Sequence, residues 1–389
     1  MSSLVLTGGT VITPQETRFC DVFVDEGTIS AVGADNDDSS LAADTFDVSD
    51  CYLTPGLIDL QINGGPQCNF WGDPTAKEVT ALSDDLLQAG VTTILPTLIT
   101  DDIAHLKKNI AFLKSLGAGT SSNSHSGKNP NKGAQKSFTK EPSGEQKYSG
   151  AMVRMPGIHL EGPCLSAQKP GVHPPQFIKP LSEELLEQII DDSVKLITVA
   201  PETDATGKAV EYLIGKNIAV SLGHSNATFS EAQKAFDSGV KLVTHIYNAL
   251  PAVHHRAPGA VMAALLDDSV TTAIICDGLH VAPEAVKLVL KTKSKDRVIL
   301  VTDAAFIGTT GGGLVGSSIT LNQAVKNVVK WGVASFAQAI QMATWNPAKA
   351  VGLQGYVGHL ASGKMADIVA WDKNTLDIKH VFLGGRKVV

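Results

Sequence analysis

The chain has 389 residues, of which 43% are hydrophobic and 18% are charged, and its formal net charge is -7. This length suits one large domain with a smaller partner, and the apolar fraction is sufficient for a sizeable core. The acidic balance argues against nucleic acid or an anionic membrane as partner, because both favour basic surfaces. A small anionic ligand remains compatible, since a few local cations suffice to bind one phosphate.

The five cysteines are scattered along the chain and form no Cys-x-x-Cys pair. This usage predicts reduced thiols in a reducing compartment rather than a disulfide framework. The first fourteen residues show neither the basic region nor the sustained apolar core of a signal peptide. Apolar stretches also fall short of the roughly 18 residues of a membrane span. We therefore expect a cytoplasmic protein.

Both ends of the chain alternate apolar and polar residues in short segments, as half-buried strands do. Chain termini often lie close together, so strands from both ends can share one unit. We predict a small β-sandwich domain built from residues 1–52 and 353–389. It flanks a larger domain formed by residues 53–352.

The middle of the chain has a different sequence pattern, in which eight short apolar runs end in polar residues. Helix-like stretches with apolar residues three and four apart separate most of these runs. Strands that alternate with helices favour parallel pairing, and eight such units favour a closed (β/α)8 barrel of the TIM type. A doubly wound open sheet is the alternative. The runs are 53–63, 91–100, 153–162, 194–202, 218–225, 241–249, 271–280 and 297–305, and the helical stretches are 76–89, 101–116, 182–192, 203–216, 228–238 and 282–292.

Residues 117–150 interrupt this alternation of strands and helices with a segment that is rich in Gly, Ser, Asn and Lys and almost free of apolar residues. Such a composition predicts a disordered insertion. It joins a helix to the next strand, so it should emerge on the amino-terminal face of the barrel, away from the chemistry.

Four polar residues stand where strand runs stop: Glu161, His224, His245 and Asp303. Strand carboxyl ends converge on one face of a barrel, so these side chains can share a site. Each residue alone has an ordinary structural explanation, but their joint placement does not. One carboxylate and two imidazoles form a three-ligand divalent site that leaves a position open for water, and Asp303 can then act as general base. The pattern predicts a metal-dependent hydrolase.

The motifs around these residues resemble the N-acetylglucosamine-6-phosphate deacetylase family, within the amidohydrolase superfamily. Thr-His-x-Tyr-Asn-Ala and Asp-Gly-Leu-His are specific to that family, whereas Pro-Gly-x-Ile-Asp is shared across the superfamily. The resemblance extends over most of the chain. The matching segments are Pro55–Asp59, His159–Pro163, Gly223–Ser225, Thr244–Ala249, Asp277–His280, Val301–Ala304 and Gly363–Asp367.

The resemblance implies a role for each central residue. Glu161, His224 and His245 would hold the metal, and Asp303 would move a proton from the attacking water to the departing amine. His173, twelve residues after Glu161, falls where the family has a histidine that contacts the acetyl carbonyl. A donor at that place would stabilise the developing oxyanion.

The resemblance also implies residues that bind a phosphosugar. Arg256 and His280 would contact the phosphate, with Asn248 and Ala249 alongside. In such enzymes the arginine can come from a neighbouring subunit, so a homodimer is implied. Ala257 departs from the acidic residue that the family usually has after this arginine. Further substrate contacts are implied at Val172, Asp277, Gly278, Leu279, Leu314, Val315 and Gly316.

Many amidohydrolases have a His-x-His after the first strand that holds a second metal. The equivalent here is Gln61-Ile62-Asn63, and neutral amides bind a divalent transition metal poorly. We therefore predict one divalent metal ion per subunit, with zinc as the first choice for a His/His/carboxylate set.

A second departure follows Asp303, where the family carries a longer segment with strands that visit the small domain. This chain passes directly through residues 306–313 to a Leu-Val-Gly-Ser turn. The glycines there lack the Gly-Lys-Ser/Thr of a phosphate-binding loop, so a shortened splice or gene-model variant is the better explanation. The shortening places the geometry of Asp303 and of the turn Leu314–Gly316 in question.

Three functions are therefore weighed. The first is hydrolysis of N-acetyl-D-glucosamine 6-phosphate to D-glucosamine 6-phosphate and acetate, in amino-sugar metabolism. The second keeps the fold and changes the substrate, to N-acetylgalactosamine 6-phosphate or a cyclic amide, although the latter usually needs the first-strand His-x-His. The third is a non-catalytic shortened isoform.

Overall fold

The computed structural model describes residues 3–14, 16–33, 43–119, 151–305 and 315–389. Seven short strands occupy the amino-terminal part, where apolar and polar residues alternate as a half-buried strand requires. These strands are β1 Leu4–Thr7, β2 Thr10–Ile12, β3 Thr17–Phe19, β4 Val22–Asp25, β5 Thr28–Val32, β6 Asp44–Asp47 and β7 Cys51–Pro55.

Eight parallel strands in the middle of the chain form one sheet, and their order in the sheet follows the chain. The first and last strands meet where Asp303 N donates to Gln61 O at 2.8 Å and Asn63 N donates to Ala304 O at 2.7 Å. The predicted (β/α)8 barrel is therefore confirmed, since a doubly wound sheet would reverse its strand order. The barrel strands are β8 Leu57–Ile62, β11 Val91–Ile99, β12 Ile158–Glu161, β13 Val194–Val199, β14 Ala219–Leu222, β15 Leu242–Val243, β16 Thr271–Ile275 and β17 Val298–Val301, and a hairpin of β9 Gly64–Gly65 and β10 Cys68–Asn69 follows β8.

The first apolar run, 53–63, divides at Gly56 instead of forming one strand. Leu53 pairs with Ala370 in a terminal sheet, whereas Leu57 pairs with Val91 in the barrel. A Cβ at Gly56 would lie 2.0 Å from Thr92 Oγ1, so only glycine lets the chain cross here from one sheet to the other.

All six predicted helical stretches are helices, and their caps match the sequence: Thr228 and Glu231 form a capping box, and Ser182 Oγ accepts from Leu185 N. Helix α6 was not among the predicted stretches, because its residues are almost all apolar and give no polar face. The α-helices are α1 Ala76–Gln88, α2 Ile103–Ser115, α3 Glu183–Ile189, α4 Lys208–Gly215, α5 Phe229–Asp237, α6 Gly259–Leu266, α7 Pro283–Thr292, α8 Leu321–Lys330, α9 Phe336–Ala343 and α10 Trp345–Ala350, and 3-10 turns lie at Pro175–Phe177, Pro201–Thr203 and Lys295–Arg297.

Strands from both ends of the chain form two further sheets, as predicted for the small β domain. Strands β1, β4, β5 and β6 make a four-stranded sheet. The six-stranded sheet mixes β2, β3 and β7 with the carboxy-terminal strands β18 Ile368–Asp372, β19 Ile378–Leu383 and β20 Arg386–Lys387. The domain boundaries at 52/53 and 352/353 stay predictions.

A buried ion pair joins the barrel to the terminal sheets. Arg154 Nε and Nη2 donate to the two carboxylate oxygens of Asp367 at 2.5 and 2.9 Å. Two parallel bonds fix the relative orientation of both groups. Arg154 is itself anchored to the barrel, because its backbone N donates to Thr92 O at 2.8 Å.

The predicted insertion lies outside the described residues except for residues 117–119, which end the turn after α2. Gly119 N donates there to Met155 O at 3.0 Å. The described helices include none that is long and apolar enough to cross a membrane.

Candidate active site

The four strand-end residues lie at the same face of the barrel. Glu161 is the last residue of β12, and His224, His245 and Asp303 each follow the end of a strand by two residues. Parallel barrel strands all point their carboxyl ends to one face, so residues up to 142 positions apart in the chain converge there.

His224, His245 and Asp303 share an uncommon backbone conformation. Their φ angles are 46°, 28° and 49°, in the left-handed region that costs a residue with a Cβ on the order of 1–3 kcal/mol. The chain thereby turns sharply at the strand end and brings each side chain back over the barrel mouth. Strain that recurs at three converging side chains is typical of a functional site.

Three side-chain atoms meet at the centre of this face. His245 Nε2 lies 3.0 Å and His224 Nε2 lies 3.3 Å from Glu161 Oε1, and the two imidazole nitrogens are 3.2 Å apart. All three side chains are buried. Ligand atoms about 2.0–2.2 Å from a tetrahedral metal lie about 3.3–3.6 Å from one another, so this triangle nearly matches the face of such a site.

The hydrogen-bond partners of these residues also fit a metal. His224 Nδ1 donates to the carbonyl oxygen of Lys169 at 3.0 Å, which leaves the Nε2 lone pair to face the centre. Burial alone would raise the pKa of Glu161, but the adjacent imidazoles of His224 and His245 hold it well below its usual range. Burial lowers the pKa of His245, but the hydrogen bond to Glu161 and the negative charges of Glu161 and Asp303 together outweigh that effect and raise it. Within the described ranges, these three residues form the only group with metal-ligand spacing.

His173 adds a hydrogen-bond donor beside this group. Its Nδ1 accepts from the backbone N of Thr100 at 3.2 Å and lies 2.9 Å from Thr100 Oγ1. Burial, followed by the neighbouring His224, lowers the pKa of His173 to about 3, so the ring is neutral. A neutral ring whose Nδ1 accepts must carry its proton on Nε2. That Nε2 is buried without a hydrogen-bond partner among the described residues and lies 3.8 Å from Glu161 Oε2.

Asp303 follows β17, the last strand of the barrel. Asn63 Nδ2 donates to its Oδ1 at 2.7 Å. Burial and the negative charge of Glu161 raise the pKa of Asp303 to about 6. A carboxylate with such a pKa is mainly ionised at pH 7 and can accept a proton.

The backbone of Asp303 is anchored on both sides of the shortened segment. Ser317 N donates to Asp303 O at 2.8 Å, and Ala305 N donates to Ser317 O at 3.1 Å. Gly316 has a φ of 59°, and a Cβ there would lie 2.6 Å from Asp303 O, so the turn needs glycine. Gly316 therefore lies against the backbone of Asp303, whereas Leu314 lies outside the described residues, and the role of Leu314–Gly316 as a substrate turn stays a prediction.

The predicted phosphate-binding residues are arranged differently. His280 Nδ1 and Asp277 Oδ2 are 2.6 Å apart, and Asp277 Oδ1 accepts from the backbone N of Leu279 and of His280, so Asp277–His280 is a tight turn. Arg256 is exposed, and its Nη1 lies 3.0 Å from His255 Nε2. No hydrogen bond or ion pair among the described residues joins Arg256 to His280 or to the central group.

The remaining predicted contacts line the loops above the strand ends. Asn248 Nδ2 donates to the carbonyl oxygen of His245 at 3.3 Å, and Ala249 follows with a φ of 50°. Val172, Gly278 and Leu279 are exposed. These positions are compatible with a substrate role but do not by themselves define one.

Some residues of the site were not assigned a role from the sequence. Thr100 orients His173, and Lys169 orients His224 through its carbonyl oxygen. Glu202 accepts from Ser225 Oγ at 2.8 Å and from Asn226 N at 2.7 Å, and so holds the loop that follows His224. Thr100 ends the second apolar run, so its position at a strand end was a usable signal.

A closed barrel with one carboxylate, two imidazoles and an adjacent acid at its strand ends defines the class of metal-dependent hydrolases. Residues 52–388 match the amidohydrolase family. The N-acetylglucosamine-6-phosphate deacetylase of Vibrio furnissii is 30% identical over 94% of this chain and 90% of that protein. The N-acetylgalactosamine-6-phosphate deacetylase of Escherichia coli O157:H7 is 31% identical over 86% of this chain and 87% of that protein.

Solved structures give the same result. The N-acetylglucosamine-6-phosphate deacetylase of Pasteurella multocida superposes with a TM-score of 0.83 at 28% identity, over 99% of both chains. The chain belongs to the amidohydrolase family, and the resemblance inferred from its motifs is confirmed.

Proposed function

We propose that this hydrolase cleaves N-acetyl-D-glucosamine 6-phosphate to D-glucosamine 6-phosphate and acetate, as part of amino-sugar metabolism. The relative from Vibrio furnissii and the structure from Pasteurella multocida, which span nearly the whole chain, carry the name of this activity. The site adds the groups that amide hydrolysis needs: a cluster that fits a metal, a neutral donor and a carboxylate base.

Glu161, His224 and His245 would hold one divalent cation, and zinc is the first choice for this donor set. Such a cation, when bound, supplies Lewis-acid polarisation and makes water acidic enough to attack at neutral pH.

Asp303 and His173 have different tasks in the reaction: Asp303 transfers the proton, and His173 stabilises the developing negative charge. Asp303 takes the proton from the water whose oxygen bonds to the acetyl carbon. His173 donates from Nε2–H to the acetyl oxygen as negative charge develops there. Asp303 then delivers the proton to the sugar nitrogen as the carbon–nitrogen bond breaks, which leaves a neutral amine and acetic acid. The acid releases its remaining proton to solvent and becomes acetate.

The observation that carries this proposal is the unpartnered Nε2–H of His173 beside Glu161. A buried donor without an acceptor costs about 1–3 kcal/mol, and a substrate carbonyl would relieve that cost.

The phosphate would bind at His280 and at Arg256, which can grip it bidentately. Since Arg256 is exposed and remote from any partner in the central group, we propose that it acts across a homodimer on the site of the neighbouring subunit. Val172, Asn248, Ala249, Asp277, Gly278, Leu279, Leu314, Val315 and Gly316 complete the proposed substrate contacts.

N-acetylgalactosamine 6-phosphate is the less favoured substrate, because the solved structures that superpose with TM-scores of 0.81 to 0.83 carry the name of the glucosamine activity. A non-catalytic shortened form is disfavoured by the anchored backbone of Asp303. We also propose a cytoplasmic location, which suits five free thiols, and the domain boundaries 1–52, 53–352 and 353–389.

The test is to measure bound metal and acetate release from both epimeric phosphosugars with the purified chain and with Asp303→Asn. We expect acetate from the glucosamine epimer and a kcat lower by a factor of about 10²–10⁴ in the variant, because the base is lost while the shape is kept. Equal rates for the two proteins, with metal bound in both, would exclude the proposed chemistry.

A further inference from the structure

The two side-chain amides of the first barrel strand each face a different carboxylate of the site. Gln61 Nε2 donates to Glu161 Oε1 at 2.9 Å, and Asn63 Nδ2 donates to Asp303 Oδ1 at 2.7 Å. Both side chains are almost fully buried, with 2% and 1% exposure. Residues two apart on a strand point to the same side, so this pair faces the barrel interior together.

In both residues it is the amide nitrogen that faces a carboxylate. An amide nitrogen has no lone pair available to a cation, so these two nitrogens act as hydrogen-bond donors and not as metal ligands. The oxygen that Gln61 contacts is the same Glu161 Oε1 that approaches His224 and His245. The oxygen that Asn63 contacts belongs to the proposed base.

We propose that Gln61 and Asn63 are two separate positioning residues for the hydrolytic reaction. Gln61 orients Glu161 and thereby sets the affinity for the metal. Asn63 holds Oδ1 of Asp303, so that Oδ2 is the oxygen that exchanges the proton with water and amine. The assignment of Asn63 rests on the proposed hydrolytic function, whereas that of Gln61 concerns metal binding alone.

The same strand shows why these contacts are rigid. Asp303 N donates to Gln61 O, and Asn63 N donates to Ala304 O, so the backbone segments that carry donor and base are bonded to each other. The amide of Asn63 therefore meets Asp303 without the freedom of a loop. Donors on rigid elements are the ones that fix a reacting group within the tolerance that proton transfer requires.

The test uses Gln61→Met and Asn63→Leu, which remove the donors and keep approximately the side-chain volume. Asn346→Leu is the matched control, because Asn346 is an equally buried amide that donates to Lys295 O at 2.8 Å and to Val298 O at 2.7 Å, at the opposite end of the barrel. Each protein is prepared metal-free, and its zinc affinity is measured by competition with a chelator. The kcat and KM for acetate release are then measured at saturating zinc.

Gln61→Met should weaken zinc binding about 10- to 100-fold, the usual cost of losing a hydrogen bond to a metal ligand, and should recover most of its kcat at saturating zinc. Asn63→Leu should keep zinc affinity within about threefold of wild type and lower kcat about 10- to 100-fold at nearly constant KM. Asn346→Leu should change thermal stability only. A purely structural role would not separate metal affinity from turnover in this way.

The proposal is overturned if both variants lose zinc affinity and kcat in parallel, or if neither differs from Asn346→Leu. Should Asn63→Leu fail to fold, Asn63→Ala takes its place with the same expectations. If wild type itself releases no acetate, the proposed function fails, and the zinc affinities still decide the role of Gln61.

Discussion

The strand ends and the loops of this barrel differ in how closely their proposed functional residues contact one another. Glu161, His224 and His245 have side chains at most 7% exposed, and they contact one another directly. Arg256 lies in an exposed loop, and its hydrogen bonds to described residues go to the neighbouring His254 and His255. The cluster with metal-ligand spacing is therefore formed at the strand ends of one chain, whereas the proposed phosphate-binding Arg256 lies in a loop and, in the proposed homodimer, would act on the neighbouring subunit.

Among the substitutions that test this difference, we expect the largest effect on activity at His173. His173→Leu removes the only proposed donor to the acetyl oxygen, so kcat should fall by a factor of about 10²–10³ with zinc still bound. The measurement is kcat for acetate release together with metal content. His105→Leu, on the surface of helix α2, is the control and should keep full activity.

Arg256 should show a smaller effect of a different kind. Arg256→Ala should raise KM about 10- to 100-fold and leave kcat nearly unchanged, because a charged hydrogen bond to phosphate contributes about 1.5–3 kcal/mol. Arg386→Ala, on the exposed strand β20, provides the control. A fall in kcat at constant KM would mean that Arg256 takes part in the chemical step. That result would contradict the proposed difference between the strand ends and the loops.

Mixing two variants that are each impaired at low substrate tests whether Arg256 acts across subunits. Arg256→Ala and Asp303→Asn chains that exchange subunits form mixed dimers, in which one site keeps both residues. About a quarter of all sites would then be intact, half of one half, and activity at low substrate should recover to that level. No recovery in proven mixed dimers would place Arg256 on its own site.

The smallest effect concerns the pH dependence of stability at the strand ends. Burial raises the pKa of Asp59 to about 7, although its carboxylate accepts from Thr302 and Gln61. The folded state therefore holds a proton that the unfolded state releases near pH 4, so the free energy of unfolding falls as pH rises from about 4 to 7. In Asp59→Asn this slope should flatten.

Urea unfolding between pH 4 and pH 8 measures this slope for wild type and for Asp59→Asn. Asp192→Asn, a change of an exposed carboxylate, is the control and should keep the slope of wild type. An unchanged slope in Asp59→Asn would show that this carboxyl is already ionised in the folded protein.

The strand-end chemistry could be predicted from the sequence because a barrel brings all strand ends to one face. Eight apolar runs and their terminal residues therefore sufficed to place Glu161, His224, His245 and Asp303 together. Helix α6 could not be predicted by the same reasoning, since a helix whose residues are all apolar has no periodic polar face.

Contacts between side chains that are far apart along the chain could not be predicted from the sequence. Asn63 and Asp303 are 240 residues apart, and only the closed barrel shows that the amide donates to the base. The tautomer of His173 depends likewise on the backbone N of Thr100. Gln61 and Asn63 were recognised as poor metal ligands, but what they do instead depends on which carboxylate each one faces.

The most direct test of a single-metal hydrolase is the metal content of the folded chain after loading with zinc and removal of the excess. One zinc per chain in wild type, and none in His224→Ala/His245→Ala, is the predicted result. Two metals per chain, or retention of the metal without these imidazoles, would contradict the assignment of Glu161, His224 and His245 as its ligands.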